Sequence, residues 1–94
     1  MEHTKGIKLI WDRWNREHIK KHSVKVSEVE EVCRSEVAIK QSYLERTLVF
    51  GKTKNGRLLT IVLSFDNQRE AYVVSARDMS LKEREIYYEK TKAS

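Results

Sequence analysis

Arg46-Thr47-Leu48-Val49-Phe50-Gly51, then Asn55-Gly56, then Leu58-Leu59-Thr60-Ile61-Val62-Leu63-Ser64-Phe65 follow one another in the middle of the chain. The first run reads as a strand. Asn-Gly is the strongest short hairpin signal, because both residues tolerate positive φ. The returning run is apolar on both faces apart from Thr60 and Ser64, which places it centrally in a sheet. Asp66-Asn67-Gln68 is a second turn, and Glu70 to Ala76 pairs back as a third strand of a meander.

Toward the N-terminus, Val37-Ala38-Ile39 suggests a brief strand before Ser42. Ser27-Glu28-Val29-Glu30 fits a capping box that opens a helix ending near Ser35, with Val29, Val32 and Cys33 as its apolar stripe. Asp12 is the expected N-cap of an earlier helix, Arg13 to about Lys21. Before it, Ile7, Leu9 and Trp11 alternate with Lys8 and Ile10, the period of a short strand. Toward the C-terminus, Ser80-Leu81-Lys82-Glu83 is a second capping box, and its helix should run to about Lys90. The order is strand, helix, helix, meander, helix. It predicts an α+β fold: a small antiparallel sheet of the N-terminal strand and the meander, packed with two N-terminal helices and one C-terminal helix.

The 94 residues suit a single domain spanning 1–94, with 1–6 and 91–94 expected to fray. No run of about 18 apolar residues is present, and Met1 to Gly6 lacks the apolar stretch of a signal peptide. A cytoplasmic protein with no membrane association is therefore expected. The single cysteine excludes an internal disulfide, and Cys33 reads as a buried thiol. The net charge of +5 favours a polyanionic partner, without choosing among nucleic acid, a lipid surface and an acidic protein.

The chemistry-bearing residues gather at one junction. Val74-Ser75-Ala76-Arg77-Asp78-Met79 ends a strand and Ser80 opens a helix carrying Glu83, Arg84, Tyr87 and Tyr88. Arg77 could hold a phosphate through paired N–H donors, or it could form an ion pair with Asp78, Glu83 or Glu70. Glu83 has a structural task in the capping box. Tyr87 or Tyr88 could cover the sheet, stack on a base or donate a proton. Lys52, Lys54 and Arg57 cluster at the hairpin, either as a solvated turn or as a finger that contacts phosphate.

On the first helix, Trp14, His18 and His22 share a face at i, i+4 spacing, where partly buried imidazoles are expected to pack near the indole. The spacing of His18 and His22 suits zinc, yet no third ligand is evident, so no metal site is expected. His22 closes the helix beside Lys20 and Lys21, where a cation complements the helix dipole and an imidazole can act as general acid or base. No Gly-rich phosphate loop, Ser-His-Asp order or paired-cysteine motif appears.

Three segments taken together resemble a known family. They are Trp11-Asp12 with Asn15, His18, Lys21-His22-x-Val24 and Glu28 to Val32; Phe50-Gly51-Lys52-Thr53-x-x-Gly56-Arg57-Leu58-Leu59; and Val74 to Met79 with Glu83-Arg84 and Tyr87. Their order and spacing, over about Ile7 to Tyr88, are similar to the BrnT toxins, a branch of the RelE-like ribonucleases. The better-known members tend to carry Asn where this chain has His18 and Gly where it has Ser23.

The resemblance implies the toxin of a type II toxin–antitoxin pair, cleaving RNA without a metal or other cofactor and thereby stopping translation. It also implies a cognate antitoxin that covers the toxin and usually carries a DNA-binding part. It implies that His22 or Glu83 acts as base and that Arg77 and Arg84 hold the scissile phosphate. Tyr87 or His22 would be the acid, and Lys21, Lys52 and Arg57 would be further RNA contacts. The alternative expectation is a non-catalytic module that keeps the fold and binds RNA or a protein.

Overall fold

A computed structural model describes residues 4–92. His3 and the outermost parts of both expected tails lie outside the described residues. The elements are β1 (Lys8–Ile10), α1 (Arg13–Lys20), α2 (Val26–Cys33), β2 (Ala38–Gln41), β3 (Arg46–Lys52), β4 (Leu58–Phe65), β5 (Glu70–Asp78) and α3 (Leu81–Thr91). The fold is α+β, with three helices and one five-stranded sheet among the described residues.

The strand order is β1-β5-β4-β3-β2, so the apolar β4 is central, as its composition requires. The β3–β4 and β4–β5 pairs form the antiparallel meander, and β2 extends it at one edge. At the other edge β1 runs parallel to β5, with Leu9 opposite Ala71. The sheet is therefore mixed. A parallel pair needs a long crossover, and the whole of α1 to β4 lies between these two strands.

One face of the sheet packs against α1 and α2. Val49, Leu59, Ile61, Leu63, Ala71, Val73 and Ala76 meet Ile19, Val24, Val29, Val32 and Cys33 there. Burial pushes the Cys33 thiol up to about 12, which keeps it protonated and unreactive. Thr4, within the segment expected to fray, is buried and donates its hydroxyl to the Cys33 carbonyl at 2.7 Å. On the opposite face α3 crosses one end of the sheet. Tyr87 and Met79 pack there with Phe50 and Ala38.

Two helix starts show how local chemistry chose the boundaries. Asp12 caps α1 as expected: its carboxylate accepts from Asn15 N at 2.9 Å, and Asn15 Oδ1 accepts from Asp12 N at 2.9 Å. The second helix begins earlier than the Ser27 box implies. Lys25 is its N-cap, and Glu28 Oε1 accepts from Lys25 N at 3.0 Å. Glu30, expected to close the Ser27 box, instead accepts from Trp11 Nε1 at 2.9 Å. Its other oxygen pairs with Arg34 at 3.3 Å, so both carboxylate oxygens of Glu30 are engaged away from Ser27.

Candidate functional site

The β5–α3 junction is built around Glu83. Met79 N donates to Leu58 O at 3.1 Å and holds the chain to β4 while it turns. Ser80 then caps α3, accepting from Glu83 N at 3.2 Å, and Glu83 Oε1 accepts from Ser80 N at 2.9 Å. The same carboxylate accepts from Thr60 Oγ1 at 2.8 Å and from Arg77 Nη1 and Nη2 at 2.7 and 2.9 Å. Arg77 and Thr60 are opposite one another on β5 and β4, so the sheet register brings both to one carboxylate. The hydrogen-bonded Arg77 guanidinium lowers the Glu83 pKa to about 2, helped by Ser80 and Thr60 against the opposing effect of burial. A carboxylate this acidic is a weak proton acceptor near neutrality. Its geometry is that of a clamp on Arg77. The clamp occupies one edge of the guanidinium, and the Arg77 side chain remains 38% exposed.

Arg57 organises the neighbouring turn. Nε donates to Asp78 Oδ1 at 2.9 Å, Nη1 to Ser23 O and Glu28 Oε1 at 2.7 and 3.1 Å, and Nη2 to His22 O at 3.2 Å. All but one of its N–H donors are thus directed at the protein itself. This one side chain joins the β3–β4 hairpin, the end of β5 and the α1–α2 turn. Ser23 in that turn has φ of 58°, the left-handed region where glycine is at ease. Asp78 is held below the usual carboxylate range, first by the Arg57 hydrogen bond, with smaller contributions from the Arg84 and His22 charges. Asp78 therefore shares an electrostatic neighbourhood with Arg57, Arg84 and His22. Arg77 and Glu83 form a separate pair, because consecutive side chains of β5 point to opposite faces of the sheet, and Arg77 reaches Asp78 only through its backbone, Nη1 donating to Asp78 O at 3.3 Å.

The other residues singled out in the sequence lie elsewhere. Tyr87 is buried in the core under α3, where loss of water raises its phenol pKa. Tyr88 packs edge-on against Tyr87, and Lys52 Nζ stands 5.9 Å from the Tyr88 ring centroid. Lys54 is fastened through its backbone N, which donates to Glu31 Oε1 at 2.7 Å. Lys21 is exposed at the end of α1.

The expectation of partly buried imidazoles near Trp14 is overturned. Trp14 is 82% exposed, His18 and His22 are exposed, and the buried residues of α1 are Asn15 and Ile19. Asn15 donates to Ile10 O at 2.9 Å, which sets the helix rotation and turns the Trp14 face outward. The histidine rings are 5.7 Å apart between centroids. Among the described residues no three His, Cys, Asp or Glu side chains are grouped to hold a metal ion. Sequence reasoning also passed over Asp78 and Glu28 as Arg57's anchors. Asp78 carried a weak signal, an acid directly after Arg77; Glu28 carried none.

No family model matches the chain, and no significant match to it was found among curated proteins or solved structures.

Proposed function

We propose that this chain is an RNA-cleaving toxin of the BrnT kind, neutralised by a cognate antitoxin. The observation that carries the reading is the half-exposed Arg77, clamped on one edge by Glu83 at the end of β5, where the next residue, Asp78, lies within reach of the His22 and Arg84 charges. Cleavage needs a proton taken from a ribose 2′-OH, charge neutralised on the phosphate and a proton given to the departing 5′-oxygen. In the proposed reaction His22 takes the 2′-proton and the 2′-oxygen attacks phosphorus. The P–O5′ bond then breaks, and His22 returns the proton to the 5′-oxygen. Arg77 and Arg84 hold the phosphate as its charge develops. Glu83 and Arg57 act as positioning residues. The sequence resemblance supports the toxin–antitoxin setting.

The test is RNA cleavage by purified protein in EDTA at low salt. His22 is exposed, so His22→Ala should fold normally. It should lower the rate by about 100-fold or more, as for loss of a proton-transfer group. Arg77→Ala should abolish cleavage and relieve growth arrest on expression. Wild-type rates in His22→Ala would remove the mechanism. A second reading, a non-catalytic RNA-binding module, is favoured by the internal commitment of Glu83 and Arg57. It predicts salt-sensitive RNA binding with no cleavage by any variant.

A further inference from the structure

The outward side of α1 carries residues that the fold does not use. Trp14, the first of them, is 82% exposed although indole is among the side chains with most to gain from burial. Arg13, Glu17, His18 and Lys21 surround it and line an open depression of about 590 Å³. Among the described residues, the Arg13, Lys21 and Trp14 side chains have no hydrogen-bond or ion-pair partner. Trp14 and His18 stand at i, i+4 on α1, and the His22 ring, in the turn that follows the helix, lies 5.7 Å from that of His18, so the stripe continues past the end of α1.

A docking face for a folded protein would show neighbouring apolar side chains. Here the indole stands alone among cations and imidazoles, with Glu17 the only acid. A flat π surface bordered by positive charge matches a chain that alternates bases with phosphates. We infer that the Trp14–His18 face of α1, continued by His22 in the following turn, is a stacking platform for single-stranded RNA. One base lies on the Trp14 indole, and Arg13, Lys21 and His18 meet the adjoining phosphates. The strand is thereby led toward His22. This rests on the RNA reading above and adds where the strand is held outside the cleavage site.

The probe is a 2′-O-methyl oligoadenylate, which cannot be cleaved through its blocked 2′-oxygen. The chain has two tryptophans, so Trp11→Phe leaves Trp14 as the only indole. Oligoadenylate should quench its fluorescence. Independently, Trp14→Ala, at an exposed position, should leave thermal melting unchanged and weaken binding of a labelled oligoadenylate about 5- to 150-fold. Unchanged affinity in Trp14→Ala, with the wild type binding normally, overturns the platform and leaves the cleavage reading standing. No binding by the wild type overturns both. Polyglutamate, a polyanion without bases, is titrated in parallel. Quenching by it equal to that by oligoadenylate would assign the face to an acidic protein and overturn base stacking.

Discussion

Glu83 shows how one side chain can serve the backbone and the site together. Its task in the capping box was legible, because Ser and Glu at N-cap and N3 are local and the pattern needs no tertiary knowledge. Its clamp on Arg77 was one of several pairings the sequence allowed, and the β4–β5 register selected it. The partners of Arg57 were barely legible, Asp78 alone carrying a weak signal. They lie 21 to 35 residues away, and no periodicity carries information over that distance. The lowered Glu83 pKa makes a prediction with a definite sign. The folded value is about 2 against an ordinary 4.5, so the folded state favours the ionised form. The stabilisation is fully present above pH 4.5 and is lost as pH falls toward 2. It should amount to about 1–3 kcal/mol. Glu83→Gln should lower the urea midpoint at pH 7 accordingly, and the gap to wild type should narrow by pH 3. An equal gap at both pH values would mean that the Arg77 ion pair contributes nothing to stability.

At the scale of elements, the meander was readable because turn chemistry and apolar runs agree with one another along Arg46 to Ala76. The helix starts were readable only where the cap partners stayed local, as at Asp12 and Ser80. At Ser27 a long-range hydrogen bond from Trp11 intervened. The rotation of α1 was misjudged for a similar reason. Asn15, polar but buried, takes the place that an apolar stripe would predict for Trp14. The contact between α2 and β3 depends on a missing side chain. A Cβ on Gly51 would lie 2.6 Å from Val32 Cγ1 and 3.1 Å from Val37 Cγ1, so the helix approaches the strand closer than alanine permits. Gly51→Ala should therefore cost about 1–3 kcal/mol by overpacking. Val32→Ala should also destabilise alone, by leaving a cavity. The double variant should be less damaged than the sum of the two, because each change makes room for the other. Strict additivity in denaturant melts would rule out a steric origin.

Across the whole molecule, the candidate site is assembled from pieces distant in sequence: the end of α1, the β3–β4 hairpin, the end of β5 and the start of α3. The sheet brings the last three together through register. The α1–α2 turn has no strand to fix it there, and Arg57 supplies the connection by donating to His22 O, Ser23 O, Glu28 and Asp78. A point charge on a flexible stem cannot reproduce that fan of donors, so lysine is not a conservative replacement. Asp78 is 65% exposed and water can replace part of what is lost, which limits the cost of Arg57→Lys to about 1–2 kcal/mol. The change should be local. Amide exchange should quicken at Val24, whose N–H bonds to Ile19 O across the turn, while the β4 amides stay protected. If His22 acts as proposed, RNA cleavage should fall by more than the stability change explains, because the backbone that carries the imidazole loses its tie at His22 O. RNA affinity should barely move, since Arg57 has little donor capacity free for a phosphate. A large loss of affinity with α1–α2 protection intact would instead make Arg57 a direct RNA contact, and would mean that its internal bonds give way when the strand arrives.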